Sequence, residues 1–231
     1  MYFIINSYTK EAGVRELERV LSSLIRKMAI NNIKTINQDK VIKLLGNPKY
    51  RVELVKENTP GVVNSLAYTN LGGLVTKTEV LEYKGNGNVL ITGSVGKIME
   101  ESIKVIISFV KSHYKYNLNN VDLHFHFLDA ATKKDGPSAG LSIVVALLSL
   151  LEKKVIPEDV AFTGELTLNG SILKIGGLKE KLIGAYNENI KTVYIPVSNM
   201  GDLEDVPKEV RENLEIVAIE HFEELYTNFF K

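Results

Sequence analysis

The segment Asp135-Gly136-Pro137-Ser138-Ala139-Gly140 sets a hydroxyl among small neighbours at the mouth of an almost wholly apolar stretch. Small residues around Ser138 let a substrate backbone come close. The N–H groups of a following helix's first turn, aided by its dipole, would then hold a developing oxyanion. The chemistry that suits this arrangement is acyl transfer. A plainer reading stands beside it: serine is among the commonest N-cap residues, and Ser138 would then only cap a buried helix. A serine hydroxyl is a weak nucleophile until a neighbouring base takes its proton, so the choice turns on which base the sequence offers.

Histidine is the usual base. Gly136-Pro137-Ser138-Ala139-Gly140 fits the G-x-S-x-G elbow, whose chain order requires an acid and then a histidine downstream. His221 alone lies downstream, at the start of a terminal helix, and Asp129 to Asp135 intervene where the elbow needs a strand running directly into the serine. Lysine offers an alternative in Gly176-Gly177-Leu178-Lys179-Glu180-Lys181-Leu182-Ile183-Gly184-Ala185. On a helix, Leu178, Leu182 and Ala185 form an inward stripe that contains Lys181, while Lys179 and Glu180 point elsewhere. A lysine held against apolar surface loses hydration of its charged form, and its pKa falls from about 10.4 toward roughly 7 or 8. That change is worth roughly 4 kcal/mol, so the role demands substantial burial. With its amine reaching water along the aliphatic stem, the same residue would be an ordinary surface cation. Helical phase leaves both readings open.

Other patterns carry less. Ser94-Val95-Gly96-Lys97 and Ser171-Ile172-Leu173-Lys174 fit S-x-x-K, but the partner strings S-D-N and K-T-G are absent. Ile91 stands where a phosphate loop needs its first glycine and Ile98 where it needs Ser or Thr, so the chain has no Walker A motif. His124 and His126 share a strand face, yet no third ligand stands at recognisable spacing, and no metal site is expected. The pairs Lys133-Lys134 and Lys153-Lys154 are too short for a nucleic-acid stripe.

The elements that must position Ser138 and Lys181 follow from periodicity. Val14, Leu17, Val20, Leu21, Leu24, Ile25 and Met28 recur at helical spacing, and a short helix is expected over Asp39 to Leu45 between Asn37 and Gly46. Lys56 to Gly61 breaks all periodicity and marks a domain boundary. Strands are expected from Val62 to Tyr68, from a Gly72-Gly73 turn to Tyr83, and from Val89 to Thr92 after the Gly85-Asn86-Gly87 turn, as an antiparallel start. A helix from Lys97 to about His113 and an alternating strand, Val121 to Phe127, precede the serine. Beyond it come the apolar helix Ala139 to Glu152, strand Val160 to Gly164, a hairpin through Asn169-Gly170 and the helix opened by Gly176-Gly177. Strand Val193 to Ile195, helix Lys208 to Asn213, strand Ile216 to Ile219 and helix Phe222 to Phe230 complete the chain.

Composition sets bounds. The 231 residues, 45% of them apolar, suffice for one large globular domain with a smaller appendage. Lys+Arg 28 against Asp+Glu 28 gives no whole-chain field to attract nucleic acid or an anionic membrane. The absence of cysteine excludes disulfides, thiolate metal sites and cysteine catalysis, and fits a reducing compartment, with the cytoplasm as default. The longest apolar run, Ala139 to Leu151, is shorter than the roughly 20 residues of a membrane span, and Met1 to Ile5 lacks a signal peptide's basic region.

Lys134-Asp135-Gly136-Pro137-Ser138-Ala139-Gly140 resembles the active-site signature of Lon proteases, and the likeness extends well beyond it. Thr163 to Gly170, Ile175 to Lys181 and Lys191-Thr192-Val193-Tyr194-Ile195-Pro196 are similar to further Lon blocks in the family's order and spacing. So is the upstream run Gly93 to Ser102, while Tyr8 to Arg15 is similar to part of the small helical subdomain that ends the family's ATPase module. The resemblance implies an α/β proteolytic domain of mixed strands and helices over 57–231, preceded over 1–52 by the end of that all-helical subdomain. It implies Ser138 as nucleophile, Lys181 as base, Thr163 orienting the lysine, and His126 and Asp135 near the site. Asp135 pairing with Lys181 would hold the lysine protonated in a resting state. Arg15 matches the arginine that senses nucleotide in the intact ATPase. No cofactor is implied for this chain, with ATP and Mg acting in the full-length protein on unfolded polypeptide delivered to a hexamer. The Walker motifs and N-terminal region of the family do not occur, so the chain reads as a fragment or a shortened relative. Leu128, Asp129, Ala130 and Lys133 stand where the family has Pro, Glu, Gly and Pro. A rival from another class is a non-catalytic assembly or binding module that keeps the fold.

Overall fold

The structure is a computed structural model that describes residues 1–9, 11–50, 59–128 and 134–231. The expected breakpoint at Lys56 to Asn58 and the departures at Asp129, Ala130 and Lys133 lie outside the described residues. The chain divides into two compact units, Met1–Val55 and Lys56–Lys231.

The small unit holds helices α1 (Tyr2–Tyr8), α2 (Arg15–Ile30) and α3 (Gln38–Leu45). Ile4, Tyr8, Leu24 and Val41 form its buried core, which is the inward stripe of α2 meeting its two neighbours. Asn37 caps α3 by accepting the Lys40 N–H at 3.0 Å, and Gly46 ends it at φ 89°. Helix α1 is not foreseen from periodicity, being one short stretch of two turns.

In the large unit the chain runs β1 (Val62–Thr69), β2 (Gly72–Lys84), β3 (Val89–Thr92), α4 (Lys97–His113), β4 (Val121–Phe127), a 3-10 turn (Pro137–Ala139) and α5 (Gly140–Leu151). It continues through β5 (Val160–Phe162), β6 (Glu165–Leu166), β7 (Ile172–Leu173), α6 (Leu178–Asn187), β8 (Thr192–Pro196), a 3-10 stretch (Val197–Asp205), α7 (Lys208–Asn213), β9 (Glu215–Ile219) and α8 (Phe222–Phe230). Seven strands form one mixed sheet in the order β3-β4-β2-β1-β5-β8-β9, and β6 and β7 pair apart as a small hairpin.

Alternation along β8 shows that both faces of the sheet are covered. Tyr194 joins the core built with α4, α5 and α8, while Val193 and Ile195 join the core built with α6 and α7. The serine at the start of α5 and the lysine on α6 thus belong to elements assigned to different layers.

Two expectations about the sheet need correction. Strand β3 lies parallel to β4, Val89 opposite Leu123, so the start is antiparallel only for β1 and β2. Gly72 and Gly73 are not the turn. They are the first residues of β2, opposite Thr69 and Tyr68, and Asn70-Leu71 make the turn. The reason is packing: a Cβ on Gly73 would lie 1.7 Å from the Glu180 carbonyl oxygen, and one on Gly184 would lie 2.5 Å from the Gly73 carbonyl carbon. Helix α6 rests on the bare backbone of β2, which requires glycine on both sides.

Candidate active site

Ser138 lies in the middle of the 3-10 turn, ahead of α5. Neither that turn nor α5 has a side-chain cap, so the N-cap reading of Ser138 fails. The turn is fixed by its main chain instead. The Ser138 carbonyl accepts the Gly164 N–H at 2.9 Å, and the Gly164 carbonyl accepts the Leu141 N–H at 2.9 Å.

Lys181 sits in the first turn of α6, whose start is set by Gly177 at φ 67°, a conformation that suits glycine. The Ile175 main chain just ahead of it is held on both sides by fully buried Asn199, which accepts its N–H at 3.0 Å and donates to its carbonyl at 2.9 Å. With α6 thus seated, the Lys181 side chain is 1% exposed and does not reach water along its stem. Its Nζ lies 2.8 Å from Ser138 Oγ and donates to Thr163 Oγ1 at 3.0 Å.

Burial pushes the Lys181 pKa from 10.5 down to about 8. Its two partners among the described residues are neutral hydroxyls, which offer the ammonium no opposite charge, and desolvation is the cause of the shift. Proton bookkeeping then orients the group. Thr163 Oγ1, on a residue with no exposed surface, donates to the Ser138 carbonyl at 3.3 Å and so must accept from the lysine. A neutral Lys181 spends one N–H on Thr163 and turns its lone pair toward the Ser138 hydroxyl, the geometry of a general base 2.8 Å from the proton it would take.

The other expected residues are placed differently. The Asp135 carboxylate does not meet Lys181. Its Oδ1 accepts the Ile98 N–H at 3.0 Å, at the first turn of α4, where a carboxylate satisfies an orphan amide and complements the helix dipole. The structure thus shows the Asp135 carboxylate on α4 and not in an ion pair with Lys181. His126 lies on β4 with its Nδ1 2.6 Å from Thr92 Oγ1, and the same hydroxyl lies 2.9 Å from His124 Nε2. His221 is committed at both ring nitrogens, Nδ1 accepting the Glu223 N–H at the start of α8 and Nε2 meeting the Asn169 carbonyl at 2.7 Å. That leaves none for Ser138. Lys174, of the second S-x-x-K string, pairs at the surface with Asp202 at 2.8 Å. Arg15 belongs to the other unit, in the first turn of α2. Among the described residues no three His, Asp or Glu side chains gather as metal ligands, and no helix is long and apolar enough to cross a membrane.

Sequence reasoning passed over Asn199 because its partner is 24 residues away and made of backbone. It gave no account of the glycine pair Gly73 and Gly184 either, whose meaning is visible only once helix and strand are stacked.

Comparison with known proteins finds matches along nearly the whole chain. The family model of the Lon protease (S16) C-terminal proteolytic domain matches residues 35–231, and that of the Lon protease AAA+ ATPase lid domain matches residues 1–41. Lon protease 1 of Myxococcus xanthus is 41% identical over 96% of this chain and 29% of its own length. The Lon proteases of Campylobacter jejuni and Mycoplasma mycoides are 42% and 39% identical, over 96% and 99% of this chain and 31% and 30% of their own lengths. The chain spans under a third of each of these relatives.

Proposed function

The chain belongs to the Lon protease family and carries its serine-peptidase domain, and from that premise we propose that Ser138 and Lys181 are the nucleophile and base with which it hydrolyses peptide bonds. The observation that carries the reading is the 2.8 Å approach of a buried lysine, with no carboxylate partner among the described residues, to a serine hydroxyl. Neutral Lys181 takes the Ser138 proton as Oγ attacks the substrate carbonyl, and returns it to the leaving amine. Water then releases the acyl-enzyme by the same base. Main-chain N–H groups of the turn before α5 are suited to the oxyanion. Thr163 holds the amine in the orientation that faces its lone pair to Ser138. Asp135 supports the surrounding backbone as a cap on α4, and His126 ties β4 to β3 through the Thr92 hydroxyl.

Residues 1–52 are read as the end of an ATPase module's helical subdomain and 57–231 as the proteolytic domain. ATP and Mg would act in that module, with Arg15 sensing nucleotide, and would deliver unfolded polypeptide to a homo-hexamer in the cytoplasm. The chain by itself is then a weak peptidase, and rapid degradation of a stable folded protein by it alone would contradict this. The test is cleavage of an unstructured fluorogenic peptide across pH 6 to 10. Loss of activity in both Ser138→Ala and Lys181→Ala is expected, with a wild-type rate that rises through a midpoint near 8. Equal rates in the three proteins would overturn the assignment.

A further inference from the structure

Behind the serine, on the side away from Lys181, the apolar core carries three hydroxyls that the mechanism above does not use. Ser65 on β1, Thr78 on β2 and Ser142 on α5 are all buried, Thr78 and Ser142 completely. The pairings Val63 with Thr78 and Ser65 with Thr76 put Ser65 and Thr78 diagonally on one face of the sheet, beneath α5. Their oxygens make a continuous series: Thr78 Oγ1 to Ser65 Oγ 2.6 Å, Ser65 Oγ to Ser142 Oγ 2.7 Å, Ser142 Oγ to the Ala139 carbonyl 2.8 Å.

A hydroxyl has one proton to give, and this fixes the direction of the series. A carbonyl cannot donate, so Ser142 donates to Ala139. Ser142 then accepts from Ser65, and Ser65 from Thr78. The series is one-way and ends on the residue that follows Ser138, at the junction of the 3-10 turn with α5. Buried hydroxyls in a hydrocarbon core gain little over alanine or valine, because each must first recover its own desolvation. A core selected only for cohesion has no use for three of them in a row. Their common terminus supplies one.

We propose that Thr78, Ser65 and Ser142 are positioning residues for the peptidase reaction, a hydroxyl chain that sets the height of the nucleophile's turn against Lys181. This rests on Ser138 being the nucleophile. The turn is gripped from two sides: Gly164 holds the Ser138 carbonyl, and the chain holds the Ala139 carbonyl. Each bond polarises the next, so the hold at Ala139 is firmer than one serine would provide. Reaching 2.8 Å between Nζ and Oγ leaves small tolerance, and a misplacement of about 1 Å costs on the order of a hundredfold in rate.

The experiment measures kcat and KM on a fluorogenic peptide, the rate of Ser138 labelling by a fluorophosphonate, and the thermal midpoint, at a temperature where every variant is folded. Ser142→Ala is expected to lower kcat and the labelling rate by about tenfold with KM changed less than twofold. Ser65→Ala and Thr78→Val should follow with progressively smaller losses. Thr78→Ser, which keeps the hydroxyl, should restore the rate that Thr78→Val loses. Ser65→Ala combined with Ser142→Ala should be no slower than Ser142→Ala, since both break one chain. Leu147→Ala, a cavity elsewhere in the same helix, should lower the thermal midpoint without changing kcat. Wild-type kcat in Ser142→Ala, or equal kcat losses in Ser142→Ala and Leu147→Ala, would overturn the proposal. Undiminished hydrolysis in Ser138→Ala would instead remove the catalytic assignment beneath it.

Discussion

Helix α5 has a polar cluster at each end, buried at Lys181 and half-buried at Glu152, and desolvation has opposite consequences in the two places. At its start Lys181 meets, among the described residues, the hydroxyls of Ser138 and Thr163, which carry no charge to offset the lost hydration of its ammonium, and its pKa drops to about 8. At its C-cap the carboxylate of Glu152 accepts from the phenols of Tyr116 and Tyr226, the latter at 3.0 Å. Burial, and then the hydrogen bond to Glu152, push both phenols above their ordinary range. In each place burial drives a titratable group toward its neutral form. A neutral lysine gains a lone pair and becomes a base. A neutral tyrosine keeps its proton and remains a fixed donor. The same physical effect makes a reactive site at one end of the helix and a static latch at the other.

The sharpest way to break this contrast is to keep the charge at 181 and prevent its loss. Lys181→Arg should lower kcat by about 10³-fold at every pH tested, because a guanidinium does not release its proton. Recovery of activity at high pH in that variant would show that a neutral amine is not needed. Stability should move next. With a folded pKa near 8 against 10.5 unfolded, the unfolded chain binds more protons between those values. Wild-type stability should therefore rise with pH from about 8 to 10.5, by up to about 3 kcal/mol. Lys181→Met should be more stable than wild type at pH 7 and should lose that rise, as measured by urea unfolding at both pH values. A flat wild-type profile would mean that the lysine is solvated.

Thr163→Val removes the acceptor that orients the amine and should lower kcat about tenfold with KM nearly constant. A rise in KM without loss of kcat would make Thr163 a substrate contact instead. The smallest effect belongs to the latch. Tyr226→Phe should cost about 1 kcal/mol of stability and leave kcat unchanged, as seen in paired denaturation and peptide assays. A kcat change there would join the two ends of the helix that the comparison keeps apart.

How far the site could be read from sequence depends on the range of the interaction. Lys181 was visible because helical phase is local: three apolar neighbours within four residues declare its direction. Ser138 was visible by its setting of small residues before an apolar run. The contact that Asp135 makes was not visible, for the converse reason. Asp135 stands three residues from Ser138, but its side chain turns back to the first turn of α4, 37 residues earlier. Asn199, Ser65 and Thr78 gave no local sign, since each acts on an element between 13 and 77 residues away. Gly72-Gly73 read as a turn because glycine usually marks one, whereas Gly73 answers to the approach of α6 and Gly72 to its own φ of 117°. The strands and helices around the site followed their periodicity closely. The parallel pairing of β3 with β4 did not, because periodicity reports a strand's faces and is silent about its neighbour.

The paired bonds between Ser138 and Gly164 and between Gly164 and Leu141 also bear on how a peptidase survives in its own company. Any protease is a polypeptide within reach of its copies, and digestion begins where a segment opens far enough to enter another active site. Residues 138–141 cannot peel away from the sheet without giving up both bonds together with the buried first turn of α5. The Leu141 and Gly164 amides, which make those bonds, should therefore exchange with solvent only on the time scale of global unfolding, and the stretch that carries the nucleophile should be among the last to be cut.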